Sequence, residues 1–286
     1  EGFYALEMPQ VYSAYELYIN DKLHLKVGDT HNYKAQIQNR CTFFAASGET
    51  YITIAVKDAS GIKAGITSPP TLGKPYSINI TRAFKFLINN FIMTLIFFGA
   101  LFSLILALSG KSNYSYMFFF MCLIYAVYLN HPLINLCFSM GGNFSYVFEY
   151  FCTHFVYLMV IMLQNRLCNL NKNVSSISEI CGSVFCAIAF VYGVFTPYLS
   201  APLCTFLSTL CNVFEWLAAI YLVAIGTYAV FNDIKYGRIF LFGNVCFAAS
   251  LLLYIIQPLY DSIYTDQSVE IGILTILGCL YFVYWA

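Results

Sequence analysis

The sequence predicts a membrane-embedded, all-α bundle of seven helices preceded by an all-β domain, and three observations predict it. The chain of 286 residues is 60% hydrophobic and only 10% charged, with a mean hydropathy of +0.70. A soluble domain is nearer to about 45–50% apolar and about 25% charged. From Ala83 onward the chain is a nearly unbroken series of apolar runs separated by short polar punctuation. Charge is also placed unevenly, because residues 1–85 hold nine of the fourteen Lys and Arg and seven of the fourteen acids. Residues 1–82 are therefore composed like a soluble segment, and residues 83–286 like a lipid-solvated one.

The front reads as strands. Phe3–Met8, Tyr15–Ile19, Leu23–Val27, Tyr51–Val56 and Tyr76–Ile80 are short runs rich in Tyr, Ile, Val and Leu, bounded by turn residues. Apolar residues alternate on both sides of Asn20-Asp21-Lys22. Asn and Asp tolerate positive φ, so this stretch predicts a hairpin. Gly28-Asp29 and Ser60-Gly61 mark further turns, and Ser68-Pro69-Pro70 a connector. Five or six strands in such a length predict a β-sandwich short of some partners, with missing N-terminal strands. His24 and His31 have no neighbouring nucleophile or thiol ligand and read as exposed histidines, so nothing in the front looks enzymatic.

A bilayer core about 30 Å thick takes roughly 20 helical residues to cross. Seven runs meet that length: 86–108, 114–133, 144–163, 180–198, 203–231, 239–260 and 269–286. Lipid offers backbone N–H and C=O groups no partner, so such runs must be helices. Lys111, Arg166, Lys172, Lys235 and Arg238 fall in alternate connections, whereas Ile134–Asn143, Leu199–Pro202 and Asp261–Ser268 contain no Lys or Arg. The positive-inside rule then places the front outside the cell membrane and the C-terminus in the cytoplasm. Arg82 and Lys85 run against that rule but adjoin a translocated domain, where the bias counts for less. Tyr114, Tyr116, Tyr198, Tyr254, Tyr260 and Tyr264 fall at or near helix ends, where an aromatic belt is expected.

Ionisable groups inside a bilayer are costly, which makes them candidates for function. Glu149, His154 and Glu215 are the three that stand out. At a rise of about 1.5 Å per residue, Glu149 lies roughly 8 Å, His154 roughly 15 Å and Glu215 roughly 18 Å below the outer mouth. His154 and Glu215 can thus pair between neighbouring helices, either as a static interhelical bond, the preferred reading, or as a switch with two arrangements. Glu149 and His154 are set about 140° apart around a regular helix and face different neighbours.

Of eleven cysteines, ten follow residue 121, without CxxC or His-containing ligand spacing. No zinc or iron–sulfur site is expected, and no disulfide framework in the front. Cys137 and Cys204 fall near the outer face and read as buried apolar side chains sooner than as a pair. Sequons at Asn79, Asn113, Asn143 and Asn173 fall on both sides of the membrane and are read as chance. Glu1 is not preceded by Met or by a leader, and Ala286 ends the last run, so a longer parent protein is expected.

The stretches Gly2-Phe3-Tyr4-Ala5-Leu6-Glu7-Met8-Pro9 and Ser13-Ala14-Tyr15-Glu16-Leu17-Tyr18-Ile19-Asn20-Asp21-Lys22-Leu23, with Gly61-Ile62 to Pro70-Thr71-Leu72-Gly73 and a first helix almost at once, carry a resemblance. Across its whole length the chain resembles bacterial seven-transmembrane receptors with diverse intracellular signalling modules. The resemblance implies a jelly-roll, galactose-binding-like sensor outside the cell, a small ligand such as a carbohydrate, and a cytoplasmic kinase, cyclase or phosphatase module in the parent. Receptors feeding dimeric outputs are expected to pair as homodimers. No ligand contact transfers residue by residue.

The expected function is therefore a transmembrane signalling receptor without catalysis of its own. A small-solute transporter or channel is the alternative, disfavoured by few intramembrane charges and no inverted repeat. A retinal protein fails because the last run holds no lysine, and an intramembrane enzyme because no Ser/His, paired-Asp or HExxH pattern is present. Gln164-Asn165-Arg166 and the lack of Asn-Pro in the last run speak against a eukaryotic-type receptor. No Lys/Arg-rich patch points to nucleic acid, and no cofactor is expected.

Overall fold

The computed structural model describes residues 2–8, 11, 13–36, 38–58, 65–66, 69–110, 114–138, 147–256 and 268–285. The front forms β1 (Gly2–Met8), β2 (Ala14–Ile19), β3 (Lys22–Val27), β4 (Arg40–Ala46), β5 (Ile52–Lys57) and β6 (Thr71–Gly73). They make two antiparallel three-stranded sheets, ordered β4-β1-β6 and β3-β2-β5. Leu6, Met8 and Phe44 from the first sheet and Tyr15, Leu17, Ile19 and Val27 from the second share one buried cluster. Alternation along each strand makes this possible, because every second side chain points inward.

The hairpin at Asn20-Asp21 is present. Both residues have positive φ (47° and 61°), and Ile19 sits opposite Lys22, so a two-residue turn closes it. Leu17 pairs with Leu25 but Tyr18 with Leu23, so His24 is the extra residue of a bulge, and it is exposed, as is His31. Beside the hairpin, the Glu16 carboxylate accepts from Tyr18 Oη at 2.6 Å and Thr30 Oγ1 at 2.9 Å, and meets Lys26 Nζ at 2.9 Å.

Those donors, the Tyr18 hydroxyl first, hold the Glu16 carboxyl down from its ordinary 4.5 to about 2. A depressed folded value means that the stabilisation is complete above about pH 4.5 and is lost as pH falls toward 2. Amide exchange of β2 and β3 should accelerate across that window. In Glu16→Gln it should be faster at neutral pH and lose this pH dependence; an unchanged acid limb would remove Glu16 as its source.

Local sequence signals set several of the helix ends. α1 (Pro75–Leu108) starts with Pro at its first position, where the missing N–H costs nothing. α2 spans Tyr114–Phe138. A π turn at Phe148–Cys152 leads directly into α3 (Thr153–Leu167). α3 ends in a left-handed Asn169, with Leu170 N–H donating to Asn165 O and Asn169 N–H to Arg166 O. Asn171 then caps α4 (Lys172–Phe195) by accepting from Asn173 N–H at 3.1 Å. α5 (Ala201–Phe231) closes the same way at left-handed Asp233, and α6 (Gly237–Ile256) and α7 (Ser268–Trp285) follow.

Two expectations about architecture are corrected. The front is not a jelly roll: among the described residues, six short strands in two three-stranded sheets fall short of the eight strands, about four to a sheet, that such a fold needs. The helices do not form one seven-helix bundle either. The chain divides into two compact units, one of Glu1–Thr153 with Ala187–Thr209 and one of His154–Cys186 with Leu210–Ala286, so α4 and α5 contribute to both. Among the described residues, three helices are long and apolar enough to cross a membrane: Pro75–Leu108, Lys172–Phe195 and Pro202–Phe231.

Locally, Tyr76–Ile80 is not a strand but the first turns of α1, since Pro75 starts the helix before the β-favouring residues are reached. β4 and β6 were not foreseen, and α4 begins at Lys172, well before residue 180. Lys111, the segment 139–146 and the segment 257–267, on which part of the orientation rests, lie outside the described residues, as does Gly61-Ile62.

Candidate functional site

In the first unit, the feature with chemistry is the joint between sheet and helix. Only Lys74 separates β6 from α1. Gly73 lies so close to Ile78 that a Cβ there would sit 3.2 Å from Ile78 Cδ1. On the neighbouring strand, Glu7 is 7% exposed, a costly place for a carboxylate without partners. It has two: Arg82 Nε at 3.5 Å, and Asn39 Nδ2, which donates to Oε1 at 3.2 Å. Ile78 and Arg82 are one helical turn apart and so share a face of α1, which is the face laid against the sheet.

In the same unit, the π turn carries Tyr150, whose hydroxyl lies 3.3 Å from Ser208 Oγ and whose ring meets Tyr192 edge-on at 4.9 Å. Glu149 lies in that π turn, and its side chain is outside the described residues. The widened ring also removes the regular helix on which the 140° separation from His154 was based. Cys204 is buried and forms no disulfide; the side chain of Cys137 is outside the described residues.

The second unit places His154 and Glu215. His154 is fully buried on α3, its ring stacked on Phe214 of α5 at 5.5 Å and 20°. Phe214 is also stacked on Phe185 of α4 at 4.6 Å and 14°. Glu215 follows Phe214 and is partly buried, so α3 and α5 are neighbours at the level where the two candidates were matched in depth.

Sequence reasoning missed the polar centre of this unit, which is made of amides. Gln164 and Asn244 are both fully buried and exchange two hydrogen bonds: Gln164 Nε2 donates to Asn244 Oδ1 at 2.7 Å, and Asn244 Nδ2 to Gln164 Oε1 at 2.9 Å. Asn244 Nδ2 also donates to Leu222 O at 2.6 Å. Beside it, Asn165 Nδ2 donates to Ser178 Oγ at 2.9 Å, and the Tyr221 hydroxyl lies 2.9 Å from both Asn165 Oδ1 and Ser178 Oγ. These contacts tie α3 to α4, α5 and α6. The available signal was a lone Asn in the apolar run 239–260 and an amide pair ending 144–163.

Close approach of backbones supports that centre. A Cβ on Gly226 would lie 2.8 Å from Leu241 Cα and 3.1 Å from Asn244 Nδ2, and one on Gly237 2.7 Å from the Ala229 backbone. Small residues at helix crossings serve where apolar surroundings provide no hydrophobic drive. Among the described residues, no group of three His, Cys, Asp or Glu is placed to hold a metal.

Comparison with known proteins gives no relative: no family model matches the chain, and no curated protein and no solved structure matches it.

Proposed function

We propose that this chain is a membrane-embedded signalling receptor, in which the β-rich front senses a small polar ligand, such as a carbohydrate, and passes the event to α1. The observation that carries the reading is the joint: a buried carboxylate on β1 tied to Arg82, and a single residue between β6 and a helix long enough to cross a membrane. A displacement of the sheet then moves the helix without slack. The front faces the outside of the cell membrane and the C-terminal end the cytoplasm, where a signalling module of the parent protein would receive the change. A ligand shifts such an equilibrium only through unequal affinity for the two states.

Hydrogen exchange on the full chain in nanodiscs, with a panel of mono- and disaccharides, tests this. A saccharide that binds should protect β1 and β4 and also change exchange at residues 76–85. In Glu7→Gln and Arg82→Met the sheet should still respond and the helix should not. Flux of a binding saccharide into proteoliposomes above the protein-free level would replace the receptor with a transporter. A sheet response without any helix response in the wild type would remove the coupling.

A further inference from the structure

We infer that the front binds a small carboxylate between its two sheets, held by Arg40, Tyr15 and Gln38. On the reading that the front is the sensor, on which this rests, the receptor's ligand is then an acidic saccharide or sugar acid rather than a neutral one.

Strand order brings the three residues to one end of the front. β1 finishes at Met8, β2 begins at Ala14 and β4 begins at Arg40. Met8 and Tyr15 belong to one buried cluster, and Arg40 stands directly opposite Met8. Residues opposite each other on paired strands share a face, so Arg40 points into the space between the sheets. Phe44, four residues on, fills the same face with an apolar ring. Glu7, one residue before Met8, points to the other face, where it holds Arg82.

Tyr15 is fully buried, and its hydroxyl has no hydrogen-bond partner among the described residues. A buried hydroxyl left so is costly, and a group of this kind calls for something that completes it. Burial pushes the hydroxyl well up from its ordinary value, against the weaker pull of the Arg40 charge, so it keeps its proton and remains a donor. Arg40 Nε donates to Gln38 Oε1 at 2.8 Å, and Gln38 is only 5% exposed. The outer edge of the guanidinium and the Gln38 amide nitrogen have no acceptor among the described residues, and no carboxylate there pairs with Arg40.

These groups are donors with one positive charge and no acceptor to match. A carboxylate brings one negative charge and two coplanar acceptor oxygens, the geometry that a guanidinium edge fits. A phosphate dianion carries one charge more than Arg40 answers, and a neutral hydroxyl leaves Arg40 uncompensated. Arg40 is half-buried whereas Tyr15 and Gln38 are closed off, so the ligand approaches over Arg40, and that side chain swings to admit it to Tyr15.

Saturation-transfer NMR on the full chain in phosphatidylcholine nanodiscs tests this, with sodium glucuronate as probe and glucose and inorganic phosphate as comparisons. Glucuronate should bind saturably, about ten-fold or more tighter than either. Arg40→Gln should remove that preference, and Arg40→Lys, which keeps the charge but not the fork, should weaken glucuronate several-fold. Tyr15→Phe should melt no lower than the wild type, because the lost hydroxyl has no partner, yet bind glucuronate about ten-fold more weakly. A tyrosine that only fills the core would leave that affinity unchanged. Unchanged affinity in Tyr15→Phe or Arg40→Gln would overturn the assignment, as would no glucuronate binding, or glucose or phosphate binding as tightly. Saccharide-dependent exchange at residues 76–85 is a separate readout, so the sensor reading stands or falls on that result alone.

Discussion

Gly226→Val should destabilise the second unit by about 3 kcal/mol or more, the upper range for overpacking. The reason is that the neighbour is backbone. A Cβ at Gly226 meets Leu241 Cα at 2.8 Å, and an α-helix cannot yield there as a side-chain tip can. α5 and α6 must move apart, which also pulls Leu222 O from Asn244. Thermal unfolding in nanodiscs should show a large loss for valine and a smaller one for Gly226→Ala. A valine variant that melts like the wild type would mean that the two helices do not approach this closely.

Asn244→Leu should cost about 2 kcal/mol, because it leaves the buried Gln164 amide without its two-bond partner. The diagnostic result is the pair. Gln164→Leu in the same chain removes the stranded amide as well, so the double variant should be more stable than Asn244→Leu alone. That sign of coupling is expected only of residues in direct contact. If the two losses simply add, the amides do not bond to each other, and the centre of the unit must be redrawn.

The apolar character of the chain and most strands of its front were legible in the sequence, because composition and alternation report them directly. The hairpin was legible to within one residue: Asn20-Asp21, which accept two positive φ values, form the turn, while Lys22, read with them, opens β3. Tyr76–Ile80 misled, because Tyr and Ile favour strands on average while one proline, Pro75, had already fixed the backbone for a helix. β4 escaped for the opposite reason: Arg40-Cys41-Thr42-Phe43-Phe44-Ala45-Ala46 lacks a clean alternation and is held by pairing with β1 along its whole length. The division into two units could not be read at all, since it depends on which faces of α4 and α5 meet which neighbours. Attention to charge also hid the amides. Gln164, Asn165 and Asn244 carry no formal charge, yet each brings donors and acceptors that an apolar interior must satisfy within the protein.

The join between β6 and α1 has one more consequence, in the phase of the helix. Contacts at Ile78 and Arg82 lie one turn apart, so they fix the azimuth of α1 as well as its height. One residue inserted after Gly73 would advance the helix by about 100° and lift it by only about 1.5 Å. Both contacts would then point away from the sheet while the spacing hardly changed. Rotation of α1 about its own axis, rather than a piston stroke along it, is thus the displacement that would break both contacts of this joint at the least change in height.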